Sequence, residues 1–346
     1  MAISFDKRVP GWVTAWLGFM VMLVVAMIVI GGATRLTNSG LSITEWSPIR
    51  GALPPLSAEA WIAEFEKYKQ IPEFEAEHPG MDINGFRFIY FWEWAHRQLG
   101  RIIGLAFAVP FLILAVSRRL PTERGLTLLS VLILIGLQGA IGWWMVHSGL
   151  QEGMVSVSQY RLATHLGMAI FILGILLWLF LDSTNGWRRD KGQGAGVLAP
   201  LFLGLVYLQI IAGAFVAGTA SGKTYNSWPL MDGSFVPSGY WFQNPAWRNL
   251  FENSAAIQFN HRMLAYILLV VFAVFVIKYR RSPKLRIPFI VLGGLLTWQV
   301  MLGIWTLLAV APLNLALLHQ FSSVLVFISA IWLTYRWKKH GNNIPF

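Results

Sequence analysis

Eight apolar runs, each long enough to cross a bilayer as a helix, divide the chain: Trp12–Gly32, Trp94–Ser117, Leu126–His147, Tyr160–Leu181, Val197–Ala217, Ile257–Ile277, Ile287–Ala309 and Leu315–Tyr335. The first follows Lys7 and Arg8 and resembles a signal peptide, but it exceeds the roughly 7–15 residues of a signal core and reads as a retained span. Two connections are long. The first, Ala33 to Trp92, carries Asn38-Ser-Gly40, Pro54-Pro55 and an acidic stretch around Ala58–Lys69 whose pattern predicts a helix; the second, Thr219–Asn253, holds Tyr225-Asn-Ser-Trp228-Pro229. The acidic stretch reads either as a solvated amphipathic surface helix or as a docking patch.

Composition agrees with membrane residence. Hydrophobic residues make up 56% of the chain and charged ones 12%, and the mean hydropathy is +0.57, far from the balance of a soluble domain. Trp12 and Trp337 stand at span ends, where amphipathic aromatics anchor at the headgroups. A net charge of +11 would suggest nucleic acid in a soluble protein. Here the basic residues collect in one set of loops and no nucleic-acid partner is implied. With eight spans both termini share a side, and Lys7, Arg8, Arg118, Arg119, Arg124, Arg188, Arg189, Lys191, Lys278, Arg280, Arg281, Lys284, Arg286, Arg336, Lys338 and Lys339 all fall on it. The connections Ser148–Gln159 and Val310–Asn314 on the other side have no Lys or Arg, so the positive-inside rule predicts cytoplasmic (or matrix) termini. Cysteine is absent, which excludes disulfides, thiolate metal sites and thiol nucleophiles.

The chain repeats itself. Glu93-Trp-Ala-His96-Arg97 opens the second span as Gln258-Phe-Asn-His261-Arg262 opens the sixth, and Gln138-Gly-Ala-Ile-Gly142-Trp143 parallels Gln299-Val-Met-Leu-Gly303-Ile-Trp305. His165 and His319 then lie early in the fourth and eighth spans. These pairs are offset by 165, 161 and 154 residues, differences that loop length absorbs, so the expected architecture is all-α and integral to the membrane: eight transmembrane helices as two pseudo-symmetric four-helix bundles in parallel orientation, 1–190 and 191–346.

His96, His165, His261 and His319 fall one to two turns inside the same ends of the even-numbered spans. Those spans run in one direction, so equal depth in sequence means equal height. Two histidines on facing helices can then approach a flat ligand from opposite sides, as bis-imidazole haem ligation requires. The bland reading of any single one is an interhelical hydrogen-bonding residue. Zinc is less suited, since its sites add cysteine or a tight cluster with an open position. His78, His147 and His340 read as surface residues. Arg97 and Arg262 each follow a candidate ligand and would either bind a haem propionate or snorkel to the interface. Glu93 shares a helix face with His96, one turn nearer the surface, and its counterpart is Gln258. A carboxylate in one half and an amide in the other suggests proton-coupled chemistry in the first half and electron storage in the second, although Glu93 could simply pair with Arg97 at i, i+4.

Glu93-Trp-Ala-His96-Arg97, Tyr160-Arg-Leu-Ala-Thr-His165, Tyr225-Asn-Ser-Trp-Pro-Leu-Met-Asp232-Gly, Phe259-Asn-His261-Arg262, Leu318-His319-Gln320 and the segment Gly31-Gly-Ala-Thr-Arg35-Leu-Thr-Asn-Ser-Gly-Leu-Ser-Ile43, in this order over nearly the whole chain, resemble the haem A synthase family in its alphaproteobacterial and mitochondrial form. The resemblance implies conversion of haem O to haem A for cytochrome oxidase, by two successive hydroxylations of the C8 methyl group and loss of water to leave a formyl. It implies a resident haem b on His261 and His319 with Arg262 beside it, a haem O site lined by His96, His165 and Arg97, and a functional glutamate at Glu93. It also implies the bacterial or mitochondrial inner membrane, a farnesyltransferase that supplies haem O, and an electron donor that the sequence does not identify; a homo-oligomer is neither required nor excluded. The cysteine pair that some members carry in the first long connection is missing, so no disulfide redox role applies.

Two rival readings remain. A bis-His electron-transfer cytochrome would need no carboxylate beside one pair and would place haems near both faces. A haem transporter or chaperone would share the histidines but leave the haem unchanged.

Overall fold

The computed structural model describes residues 9–47, 50–117, 122–185, 187 and 197–340. Eleven α-helices and no strands occur among them. Eight are long and apolar enough to cross a membrane: α1 (Gly11–Leu36), α4 (Ile83–Val116), α5 (Thr122–Gly149), α6 (Gln159–Ser183), α7 (Leu198–Gly218), α9 (Ser254–Tyr279), α10 (Pro283–Leu308) and α11 (Leu313–His340). The chain is an all-α, multi-pass membrane protein whose surroundings are lipid, where only structures that satisfy their own backbone hydrogen bonds can span. The connections after α1 and α7 lie at the same end, called here the capped end. The first holds α2 (Ala58–Tyr68) and α3 (Pro72–Glu77), and the second holds the short α8 (Asn249–Glu252).

Neighbouring spans close into two rings of four. In the first, α1 packs on α4 and α6, and α5 lies between α4 and α6; in the second, α7 packs on α9 and α11, and α10 lies between α9 and α11. Contacts of α1 with α11, of α6 with α7 and of α6 with α11 join the rings. Each helix sorts its apolar residues by face. On α4, Ile103, Phe107, Phe111 and Leu114 are buried, whereas Leu105, Val109, Leu112, Ile113 and Val116 form an exposed stripe suited to acyl chains. Small residues let backbones approach: at Gly32 no side chain could fit, because Gln320 of α11 occupies the space and donates to the Ile28 carbonyl of α1 at 2.8 Å.

The structure corrects one boundary. The second span was expected from Trp94, but α4 begins at Ile83, with the Asp82 side chain capping it through the Gly85 N–H at 2.8 Å. This extension is amphipathic rather than uniformly apolar. Phe86, Ile89 and Tyr90 turn toward Phe65 and Tyr68 of α2 and form a small water-excluding core outside the bilayer span. Burying each such side chain contributes about 1.5–3 kcal/mol. The acidic stretch is therefore a surface helix whose apolar face docks onto its own chain. Of the basic residues used to assign sidedness, Lys7, Arg8, Arg118, Arg119, Arg188, Arg189 and Lys191 lie outside the described residues, as does the boundary between 190 and 191.

Candidate functional site

The four histidines stand on α4, α6, α9 and α11, the even-numbered spans, near their capped ends. His165, His261 and His319 lie within two turns of their helix starts, while His96 lies about two turns further along because α4 projects beyond the others. Each imidazole rests against a glycine of the preceding span. A Cβ placed on Gly31, Gly142 or Gly303 would sit 2.9 Å from Cε1 of His96, His165 or His319, and one on Gly213 would sit 3.3 Å from Cε1 of His261. At 2.9 Å a Cβ leaves no room for the ring, and at 3.3 Å it would require the ring to give by a few tenths of an ångström. The His96 and His165 rings face one another with centroids 6.4 Å apart and planes inclined at 64°. Two imidazoles that bond one metal from opposite sides through bonds of about 2 Å have centroids roughly 6 Å apart, so this pair is spaced for a shared axial position. His261 and His319 lie within electrostatic reach of each other across the second ring.

Beside the first pair, Glu93 is buried and meets only donors. Its Oε2 accepts from the Ser42 hydroxyl and the Ile43 N–H, both at 2.8 Å, and its Oε1 accepts from Arg97 Nη2 at 2.6 Å and Nε at 3.1 Å. Arg97 also donates to the Ile43 and Glu45 carbonyls and lies over the Trp46 ring. It ties Glu93 to the first long connection. The second half has the same i, i+4 pairing in neutral form. Arg262 Nη2 donates to Gln258 Oε1 at 3.0 Å and to the Tyr225 carbonyl at 3.2 Å, and Gln258 Nε2 donates to the Ser221 carbonyl at 2.8 Å. Nε and Nη1 of Arg262 are buried and have no hydrogen-bond partner among the described residues. Two buried, unpaired guanidinium donors beside a histidine pair suit a carboxylate such as a haem propionate. The residues present thus fit a haem in both halves, through ring spacing in the first and orphaned donors in the second.

Over the first half, α2 and α3 hold a polar node that the sequence did not announce. Tyr68 Oη lies 2.7 Å from His78 Nδ1 and 3.3 Å from Glu73 Oε2. Glu73 is buried, and burial with the nearby negative charge of Glu93 pushes its carboxyl up to about 8. His78, expected at the surface, is half-buried in this node, and its pKa is lowered chiefly by burial. His147 is exposed as expected, stacked on Trp143 with centroids 5.7 Å apart. A cleft of about 150 Å³ lined by Ile43, Trp46, Arg97, Trp143 and His147 opens beside the ion pair. The side chain of His340 lies outside the described residues.

Other residues at the site were missed in the sequence. Ser42 and Ile43 bind Glu93 and Ser221 binds Gln258; the first two lie in the Gly31–Ile43 segment, but nothing in it marks them as partners of Glu93. Gln209 had a signal: Gln-x-x-x-Gly occurs at Gln138–Gly142, Gln209–Gly213 and Gln299–Gly303. Each of these glutamines donates its amide N–H to the backbone carbonyl of the histidine beside it, Gln138 to His165 at 3.0 Å, Gln209 to His261 at 3.1 Å and Gln299 to His319 at 3.1 Å.

Residues 14–331 match the family of cytochrome oxidase assembly proteins designated COX15-CtaA. Among curated relatives named heme A synthase, that of Paracoccus denitrificans is 47% identical over 93% of this chain and 86% of its own length. That of Maricaulis maris is 48% identical over 92% and 94%. That of Caulobacter vibrioides is 44% identical over 96% and 97%.

Proposed function

Because the chain belongs to the cytochrome oxidase assembly protein family, we propose that it is a haem A synthase, an oxidoreductase that converts haem O to haem A. Two successive hydroxylations of the C8 methyl group, each replacing C–H by C–OH and each a two-electron oxidation that takes its oxygen atom and its oxidising equivalents from an external oxidant, leave a geminal diol that loses water to a formyl. The observation that carries this reading is the unequal pair of sites: a histidine pair in each half near the capped end, with a buried carboxylate, Glu93, beside one pair and an amide, Gln258, at the same place beside the other. A cytochrome that only passes electrons has no use for that difference.

In this reading 1–190 is the substrate half and 191–346 the half with a resident haem b. His96 and His165 would hold the iron of haem O and His261 and His319 that of haem b, with the unpartnered Nε and Nη1 of Arg262 available to a propionate. Bound haem iron supplies one-electron redox chemistry between the halves. Glu93 is the catalytic carboxylate. Four donors hold its two oxygens in one orientation, two of them from Arg97, and from that place the carboxylate would stabilise positive charge that develops at the C8 carbon. Arg97 holds that charge in place and links it to the connection above the site, so substrate entry that moves the connection also moves the ion pair. The protein lies in the bacterial or mitochondrial inner membrane with both termini on the cytoplasmic or matrix side. It takes haem O from the farnesyltransferase that makes it and draws on an electron donor at the membrane.

Glu93→Gln keeps the shape, removes the charge and copies the second half. Expressed with a haem O supply, this variant is expected at normal membrane levels with normal haem b, accumulating haem O or a hydroxylated form and little haem A. Extracted haems identified by mass read the outcome. Haem A made at the wild-type rate per molecule would reduce Glu93 to an ion-pair residue, and a wild-type protein that leaves haem O unchanged would remove the function itself.

A further inference from the structure

The four histidines are not held alike. His165, His261 and His319 are each gripped twice by the preceding span. The glycine touches Cε1, and the glutamine one turn below it is anchored on the histidine's own backbone carbonyl, with its amide nitrogen 3.1–3.4 Å from both ring nitrogens. An amide nitrogen nearly equidistant from both ring nitrogens lies across the ring and limits its rotation by contact. His96 has its glycine, Gly31, but the residue one turn below is Met27. The Met27 side chain reaches α4 beyond the histidine, with Cε 3.3 Å from where a Cβ of Gly100 would be. No amide anchored on its backbone carbonyl lies against the His96 ring, and Nδ1 of His96 is buried without a hydrogen-bond partner among the described residues.

We propose that Gln138, Gln209 and Gln299 are positioning residues that lock three of the four axial imidazoles, and that His96, with methionine in place of glutamine, is the deliberately unlocked ligand through which the substrate haem enters and leaves. This rests on the haem assignment above. Groups behind a ligating histidine set ring orientation and bond strength, and losing one typically weakens metal binding about 10–100-fold. A resident haem should be retained through many turnovers, which two locked ligands favour. A haem that arrives as substrate and departs as product needs one bond that releases, and the unlocked histidine lies in the half that carries Glu93. The substrate half thus has one firm ligand, His165, on which haem O docks, and one yielding ligand on the side of the carboxylate.

The test exchanges the two residue types in the full-length protein. Haem is transferred from the purified, detergent-solubilised protein to excess apomyoglobin, and low-spin character is followed by absorbance and electron paramagnetic resonance. Wild type should release haem O or haem A faster than haem b. Met27→Gln should slow release from the first half by about tenfold or more and leave haem b release unchanged. Gln299→Met, similar in size to the native residue, should speed haem b release and raise its high-spin fraction, and Gln138→Met should do the same for the first-half haem. If the glutamines only pack helices, methionine at these places leaves spin state and release as in wild type, which overturns the proposal. Unchanged release from a folded Met27→Gln protein also overturns it. A wild-type protein that takes up no haem in either half removes the haem assignment as well, which separates the two failures.

Discussion

Gly303→Ala sets two effects of opposite sign against each other. In the middle of an exposed helix, alanine in place of glycine is favourable by about 1 kcal/mol, because glycine loses more backbone freedom on folding. At Gly303 of α10 the new Cβ would stand 2.9 Å from His319 Cε1, 3.5 Å from Nδ1 and 3.7 Å from Nε2. Carbon atoms in contact prefer about 3.5–4.0 Å, so the ring must move by more than half an ångström or α10 must retreat from α11. Overpacking of this kind costs about 1–3 kcal/mol. Gly294, on the same helix, has open space where its Cβ would go and supplies the control. Gly294→Ala should leave the haem spectrum unchanged and hold or raise the melting temperature. Gly303→Ala should be less stable than it by about 1–3 kcal/mol and should lose most of the low-spin haem assigned to His261 and His319. Gly213→Ala, at 3.3 Å from His261, should fall between them. The measurements are haem content per protein, the reduced-minus-oxidised spectrum and thermal unfolding in detergent. A Gly303→Ala protein with full low-spin haem and a raised melting temperature would refute the claim that this glycine exists to seat the imidazole.

Three further outcomes follow from other parts of the molecule. Glu73 is held protonated in the folded cap, its pKa raised from 4.5 to about 8, so its contribution to stability is complete below about pH 4.5 and is lost as pH rises through 8. Glu73→Gln should therefore match wild type at pH 5 and exceed it at pH 9 by on the order of a few kcal/mol, read by thermal melts or by proteolysis of the first long connection; parallel pH profiles would contradict this. Arg97→Leu should release the first connection from α4, since it removes donors to Glu93, Ile43 and Glu45 together, and proteolysis near 43–47 should accelerate at least severalfold, whereas an unchanged cleavage rate would show the connection to be held elsewhere. Reporter fusions after Arg119, Arg189 and Arg281 should report the cytoplasm and fusions after Glu152 and Ser221 the opposite side; a cytoplasmic signal at Glu152 would reverse the assigned sidedness.

Amino-acid order alone was enough for the eight spans, because about twenty consecutive apolar residues have few alternatives to a membrane helix. The candidate histidines also stood out, since a histidine in such a run is conspicuous and four recur at matched positions, but which of them face one another is settled by the packing. The boundary of α4 was not legible, since Asn84, Gly85, Arg87 and Glu93 interrupt the apolar residues of Ile83–Glu93, and Phe86, Ile89 and Tyr90 are covered only because α2 packs on them. Partners also needed the fold. Ser42 and Ile43 are some fifty residues from Glu93 in sequence, and no spacing rule reveals that a loop N–H and a hydroxyl will fill its second oxygen. Arg97 and Arg262 are alike in sequence, but the fold gives the first a carboxylate and two carbonyls and leaves the second with two buried donors unpaired. Helical periodicity is a local property and can be read along the chain. Which polar groups end up satisfied depends on what other segments bring to them, and that is decided only when the helices pack.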